Sequence, residues 1–277
     1  MSDLLQVRDL TVRYGGSERL AVDRVSFSLD EGEVLGVVGE SGSGKTTLGT
    51  ALLGLLPSGA TATGSVTFDG VQLLDKTHKQ LRSLRGHRLS TIMQNASTAL
   101  NPSFTIGHQL TAVLRRHRRL SRSDARAEAI SWLGKVGIPD PESRLKSFPH
   151  TLSGGMNQRV AIAMALALDP KLVVADEPTS ALDVTVQAAV LRLLQTLIDD
   201  SNSAMVLITH DLGVVAQLCS KVIVMNDGEV VEAANVDALF ADPQHPYTRR
   251  LLAALPGRRA QAATLHTIDG AVDGGRR

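Results

Sequence analysis

Gly39-Glu40-Ser41-Gly42-Ser43-Gly44-Lys45-Thr46-Thr47 constrains this chain more than any other stretch. An apolar run, Val34-Leu35-Gly36-Val37-Val38, precedes it and reads as a buried strand, while Leu48 to Leu56 reads as a helix start. The G-x-x-x-x-G-K-[ST] pattern therefore stands where a phosphate-binding loop belongs. Glycines let consecutive backbone N–H groups turn inward, and the new helix aims its positive end at the same anion. Lys45 is placed to reach β- and γ-phosphates, and the Thr46 hydroxyl to ligate Mg²⁺. The expected ligand is a nucleoside triphosphate.

A second buried run, Leu172-Val173-Val174-Ala175-Asp176-Glu177, ends in two carboxylates. Asp176 at a strand end suits Mg²⁺ held through water, and Glu177 suits the polarising of an attacking water. Leu152-Ser153-Gly154-Gly155-Met156-Asn157-Gln158-Arg159 is another glycine turn that opens a helix, Val160 to Leu168. The N-terminus of that helix is a further anion site. Two phosphate-directed helix N-termini in one chain imply that each site is shared between two subunits.

At 277 residues the chain fits one large α/β domain with an inserted lobe. Hydrophobic residues make up 43%, enough for a sizeable core, and aromatics only 3%, so that core is aliphatic. A net charge of +1 argues neither for nor against nucleic acid. Cys219 is the single cysteine, which excludes an intrachain disulfide and suits a reducing compartment. No secretory leader is expected, because strand-like residues begin at Leu4. The longest helix-like apolar run falls short of the ~20 residues that span a bilayer.

Strand and helix signals alternate from Leu4 to about Gln94 and again from Val160 to about Ala234, as in a parallel sheet wrapped by helices. Val7–Tyr14, Val22–Leu29 and Gly64–Phe68 alternate with period two and predict a small antiparallel sheet beside the nucleotide. Asn95 to Thr151 breaks the pattern with helical segments punctuated by Pro102, Pro139, Pro141 and Pro149. Arg115-Arg116-His117-Arg118-Arg119 lies there, with Asp124 and Glu128 close behind, and reads as a solvated helix face. The histidines show no metal-ligand spacing, and Met156, Met164 and Met205 read as packing residues.

Over nearly its whole length, Leu4 to Pro256, the chain resembles the ATP-binding subunit of an ATP-binding cassette (ABC) transporter. Gly39 to Thr47 resembles Walker A, and Leu172 to Glu177 resembles Walker B with its catalytic glutamate. Leu152 to Met156 resembles the signature motif, Gln94 the Q-loop glutamine and His210 the switch histidine. Ser180-Ala181-Leu182-Asp183 is similar to the D-loop, and Tyr14 to the aromatic that stacks on adenine. The resemblance implies an α/β P-loop NTPase (RecA-like) cassette with an antiparallel β subdomain and an inserted helical subdomain. Residues 1–94 and 160–236 would form the ATPase core, 95–159 the helical subdomain with the signature, and 237–256 a C-terminal element. Residues 257–277, rich in Gly, Ala and Arg, read as a disordered tail.

The same resemblance implies ATP and Mg²⁺ as ligands, with Thr46, Gln94 and Asp176 around the metal and Glu177 and His210 catalytic. Ser153, Gly154, Gly155 and Asp183 would act in trans on the ATP of a second ABC ATPase subunit, a paralogue in a head-to-tail dimer. Phe240 to Leu252, with His245-Pro246-Tyr247-Thr248, resembles the C-terminal element of peptide/nickel importers, and Met156 the first of their two ATPase subunits. Two membrane permeases and, indirectly, an extracytoplasmic solute-binding protein are the implied partners, at the cytoplasmic membrane face. No cysteine follows Cys219, so no iron–sulfur cluster is expected; that and Thr91 to Asn95 lean toward a nickel-type rather than a peptide solute. An ATPase acting on DNA or the ribosome would carry two cassettes or a long coiled coil, and an exporter would lack the His-Pro-Tyr-Thr element. Import is thus the expectation, with no nucleic-acid partner.

Overall fold

The computed structural model describes residues 3–254. Along the chain, β1 (Leu5–Arg13) and β2 (Leu20–Leu29) form an antiparallel pair, and β3 (Val34–Val38) leads into α1 (Lys45–Leu52). Then come β4 (Thr61–Phe68), β5 (Val71–Gln72), α2 (His78–Leu81) and β6 (Leu89–Ile92). The inserted lobe holds α3 (Ala96–Ala99), α4 (Ile106–Arg118), α5 (Arg122–Lys135) and α6 (Pro141–Arg144). Helix α7 (Gly154–Leu166) returns to β7 (Leu172–Asp176), followed by α8 (Val184–Ser201), β8 (Ala204–Ile208) and α9 (Leu212–Leu218). β9 (Lys221–Asn226), β10 (Glu229–Asn235), α10 (Val236–Ala241) and α11 (Pro246–Ala253) complete it.

The strands form two sheets, one ordered β2-β1-β4-β5 and antiparallel, the other ordered β10-β9-β3-β8-β7-β6. In the second sheet only β10 runs antiparallel to its neighbour. β7 and β8 are near-continuous apolar runs because both their faces are covered. Side-chain alternation divides them cleanly. Val173, Ala175, Met205 and Leu207 join the cluster built with the lobe, α7 and α8, while Leu172, Val174, Val206 and Ile208 join the one shared with α1 and the antiparallel sheet.

The expected boundary at 159/160 falls inside an unbroken helix, α7. Its Val160 and Ile162 pack in the same cluster as Leu110 and Trp132 of the lobe and Val173 of the sheet. Lobe and core therefore share one apolar interior, and no linker separates them at that point. A second correction concerns the basic cluster. Arg118 is not merely solvated: it pairs with Glu128 of α5 and with Asp169 at the turn into β7. The first helix also stops at Leu52 rather than continuing to Leu56, because Gly54 turns the chain at φ 61°. Met205 is fully in the core, and Met156 and Met164 pack against it. The tail expected to be disordered, 257–277, lies outside the described residues, among which no helix is long and apolar enough to cross a membrane.

One carboxylate ties the turn before α11 to the sheet. Glu232 on β10 accepts the N–H groups of Gln244 (2.7 Å) and His245 (3.0 Å), just before α11. Burial works to raise its pKa, but the Thr248 side chain and these two N–H groups outweigh it and hold the carboxyl below its usual value. A folded-state pKa below the unfolded one (~4.3) gives stability that is complete above that value and lost as pH falls through the folded pKa. Glu232→Gln should therefore lower the thermal midpoint at pH 7. The gap from the unaltered chain should close as the buffer is taken down through the carboxylate range in a calorimetric pH series.

Candidate functional site

The strand order does the assembling. β3, β8, β7 and β6 are successive neighbours, and their carboxyl ends lead respectively to the phosphate loop, His210, Glu177 and Gln94. Residues far apart in the chain thus meet at one edge of the sheet, where open α/β sheets bind ligands. A cleft of about 770 Å³ opens there. Its lining includes Tyr14, Glu40, Ser41, Gly42, Gly44, Lys45, Thr46, Thr47, Gln94, Asp176, Glu177 and His210. Gly39 and Ser43 are not among its lining residues; both accept from the Lys45 ammonium.

The loop folds as it does because Gly44 caps α1 in the left-handed region, φ 100°. A Cβ there would stand 2.2 Å from the Ala21 carbonyl oxygen. The Lys45 ammonium donates to the carbonyls of Gly39 (2.8 Å) and Glu40 (2.7 Å) and to the Ser43 hydroxyl (3.3 Å). Burial lowers its pKa, while Glu177, Asp176 and Glu40 pull it back up. Asp176 is raised, first by burial and further by Glu177; the Thr46 side chain and Lys45 oppose this. The Thr46 hydroxyl and Asp176 carboxylate form an oxygen donor pair that fits Mg²⁺, a cation taking a few protein oxygens and retaining water.

Glu177 sits immediately past β7 at φ 44°, a left-handed conformation that costs a non-glycine residue ~1–3 kcal/mol and is typical of functional positions. Its N–H donates to the Ile208 carbonyl (2.8 Å), which ties it to the end of β8. One carboxylate oxygen accepts the Gln94 amide (2.9 Å) and the other meets His210 Nδ1 (2.8 Å). Glu177 is only 18% exposed and His210 63%, so the carboxylate lies inside and the imidazole at the mouth.

Ser153, Gly154, Gly155 and Asp183 are not among the residues lining this cleft. Ser153 caps α7, its hydroxyl accepting the Met156 N–H (3.3 Å), and it is exposed along with Gly154. Gly155 has a packing reason, since a Cβ there would come within 2.6 Å of Val186 on α8. Asp183 caps α8 through the Val186 N–H (3.0 Å). Tyr14 stands at the cleft wall with its hydroxyl 3.0 Å from the Thr47 hydroxyl. Sequence reading missed Ser17, Arg19, Leu20 and Ala21, which also line the cleft; they follow a turn with no motif of its own.

The family described as ABC transporter matches residues 22–180, and the one described as oligopeptide/dipeptide transporter, C-terminal region, matches residues 231–276. The chain is similar to a probable peptide ABC transporter ATP-binding protein of Sinorhizobium fredii, 47% identical over 97% of this chain and 82% of the relative. It is also similar to the dipeptide transport ATP-binding protein DppD of Escherichia coli, 46% identical over 98% of this chain and 84% of that one. Among solved structures it resembles the ATP-binding cassette MJ0796, described as a dimer in a post-hydrolysis state bound to ADP and Pi. The TM-score is 0.74 and the identity 29%, covering 84% of this chain and 98% of that one.

Lys45→Ala should abolish measurable ATP binding in a nucleotide titration and cut hydrolysis by ~10²–10³. Because burial works against the ammonium, the thermal midpoint should not fall with it. ATP affinity equal to that of the unaltered chain would contradict the phosphate-loop assignment.

Proposed function

Since this chain belongs to the ABC transporter family as an ATP-hydrolysing cassette, we propose that it powers a membrane importer for di- or oligopeptides. The observation that carries the catalytic part is Glu177, held between Gln94 and His210 and over the cleft that Lys45 and Asp176 share. The loop N–H groups and Lys45 bind and orient the phosphates. Glu177 takes a proton from the attacking water, and His210 fixes the rotamer of that carboxylate. Thr46 and Asp176, with the Gln94 amide oxygen, would hold Mg²⁺, which neutralises charge on the phosphate oxygens. Catalysis here is mainly positioning and electrostatics.

The site is completed by a second cassette, a paralogue arranged head to tail. Ser153, Gly154 and Gly155 lie outside their own chain's cleft, on an exposed helix N-terminus suited to a partner's γ-phosphate. Val184, 83% exposed beside Asp183, fits the same interface. The lobe faces the permeases. Phe104 and Phe148 are both exposed on it, on loops joined by the Ile106 N–H to the Ser147 carbonyl (2.9 Å). Gln94, between core and lobe, transmits the nucleotide state. The workplace is accordingly the cytoplasmic membrane face, with a solute-binding protein acting from the other side.

The relatives DppD and the Sinorhizobium fredii protein are named for peptide transport, and the C-terminal match is to an oligopeptide/dipeptide region, which favours a peptide over nickel. That match also supports import over export or a role on DNA or the ribosome. Glu177→Gln should keep ATP binding, because the contacts of Lys45, Thr46 and Asp176 persist. Hydrolysis should fall by ~10²–10⁴. An ATP-dependent dimer should accumulate on size exclusion, and cells carrying the variant should stop taking up labelled dipeptide. Normal uptake would move the base elsewhere, and loss of nickel uptake alone would overturn the peptide reading.

A further inference from the structure

The proposed function gives α11 no task, yet this helix touches the phosphate loop. Tyr247, in its first turn, is 4% exposed and packs with Val38, Leu212, Val215 and Leu252. Its hydroxyl accepts the Glu40 N–H at 2.9 Å. That N–H belongs to the same peptide plane as the Gly39 carbonyl, which accepts from the Lys45 ammonium at 2.8 Å. A peptide unit is rigid, and in its trans form N–H and C=O point in opposite directions. Fixing the N–H from one side therefore aims the carbonyl at Lys45 on the other. The Glu40 carbonyl accepts from the same ammonium at 2.7 Å.

Tyr247 is itself held firmly. Pro246 opens the helix, the His245 ring accepts the Tyr247 N–H (3.2 Å), and Glu232 anchors the preceding turn to β10. β10 pairs with β9 and β9 with β3, the strand that runs into the loop. The connections form a closed circuit through the sheet. Burial raises the Tyr247 pKa although the Glu40 N–H works the other way, so the group meets that N–H as a neutral phenol.

We propose that Tyr247 is a positioning residue for ATP, orienting the Gly39–Glu40 peptide and through it the Lys45 ammonium, so that the C-terminal helix sets nucleotide affinity. The proposal rests on the phosphate-loop reading of Lys45. Tyr247→Phe removes the hydroxyl and keeps the ring. In the full chain its dissociation constant for Mg-ATP should rise by ~3- to 10-fold, the effect of losing one such hydrogen bond. Its thermal midpoint should fall far less than that of Leu252→Ala, which removes packing beside the ring and should leave ATP affinity near that of the unaltered chain. An unchanged ATP affinity in Tyr247→Phe would overturn the proposal. So would losses of affinity that track the loss of thermal midpoint in both variants, which would make Tyr247 a packing residue only. Lys45→Ala in the same titration separates the two readings, because retained binding there would fault the nucleotide site rather than Tyr247.

Discussion

Lys45 holds its ammonium in a buried position against two loop carbonyls, with Asp176 and Glu177 as the nearby opposing charges. A cation placed so is costly to keep unless an anion is to be met there, and the surrounding structure follows from that requirement. The loop needs Gly44 in a left-handed turn to bring the helix start close, and it needs the rigid floor of β3 beneath it. It also needs support from outside the motif. The Ser43 hydroxyl accepts from Lys45, and Tyr247 reaches the loop from the far end of the described chain.

The parallel sheet turns that single anion site into a catalytic one. Because β8, β7 and β6 stand beside β3 in that order, they bring to one edge an imidazole, two carboxylates and an amide. The strained backbone of Glu177 is held by Ile208 on one side and its carboxylate by two partners on the other. The lobe is joined to this edge by α7, whose start carries the exposed Ser153 and Gly154 and whose buried end packs on β7.

Much of this was legible in the residues. The phosphate loop, the strand ending in Asp176-Glu177 and the two alternating regions follow from glycine placement and hydrophobic periodicity, which are local signals. Glutamine and histidine carry no such local signal, so Gln94 and His210 were reached only through family resemblance; strand order places them. The proposed boundary at 159/160 lies within one continuous helix, α7, because helical periodicity carries no mark of a domain change. Long-range pairing was also hidden: Arg118 read as a solvated charge until Glu128 and Asp169 were seen beside it. Tyr247 read as a family marker, because nothing in a linear sequence shows that its hydroxyl meets the N–H of Glu40.

On the proposed reading one chain carries the nucleotide cleft and a second cassette completes the catalytic site, since Ser153, Gly154 and Gly155 are not among the residues lining their own chain's cleft. The most direct measurement is the ATP hydrolysis rate per chain of the purified protein as its concentration is raised. A shared site makes that rate climb with concentration, since productive turnover requires two cassettes to meet. A rate per chain that stayed constant down to concentrations where only monomer is present would contradict the account.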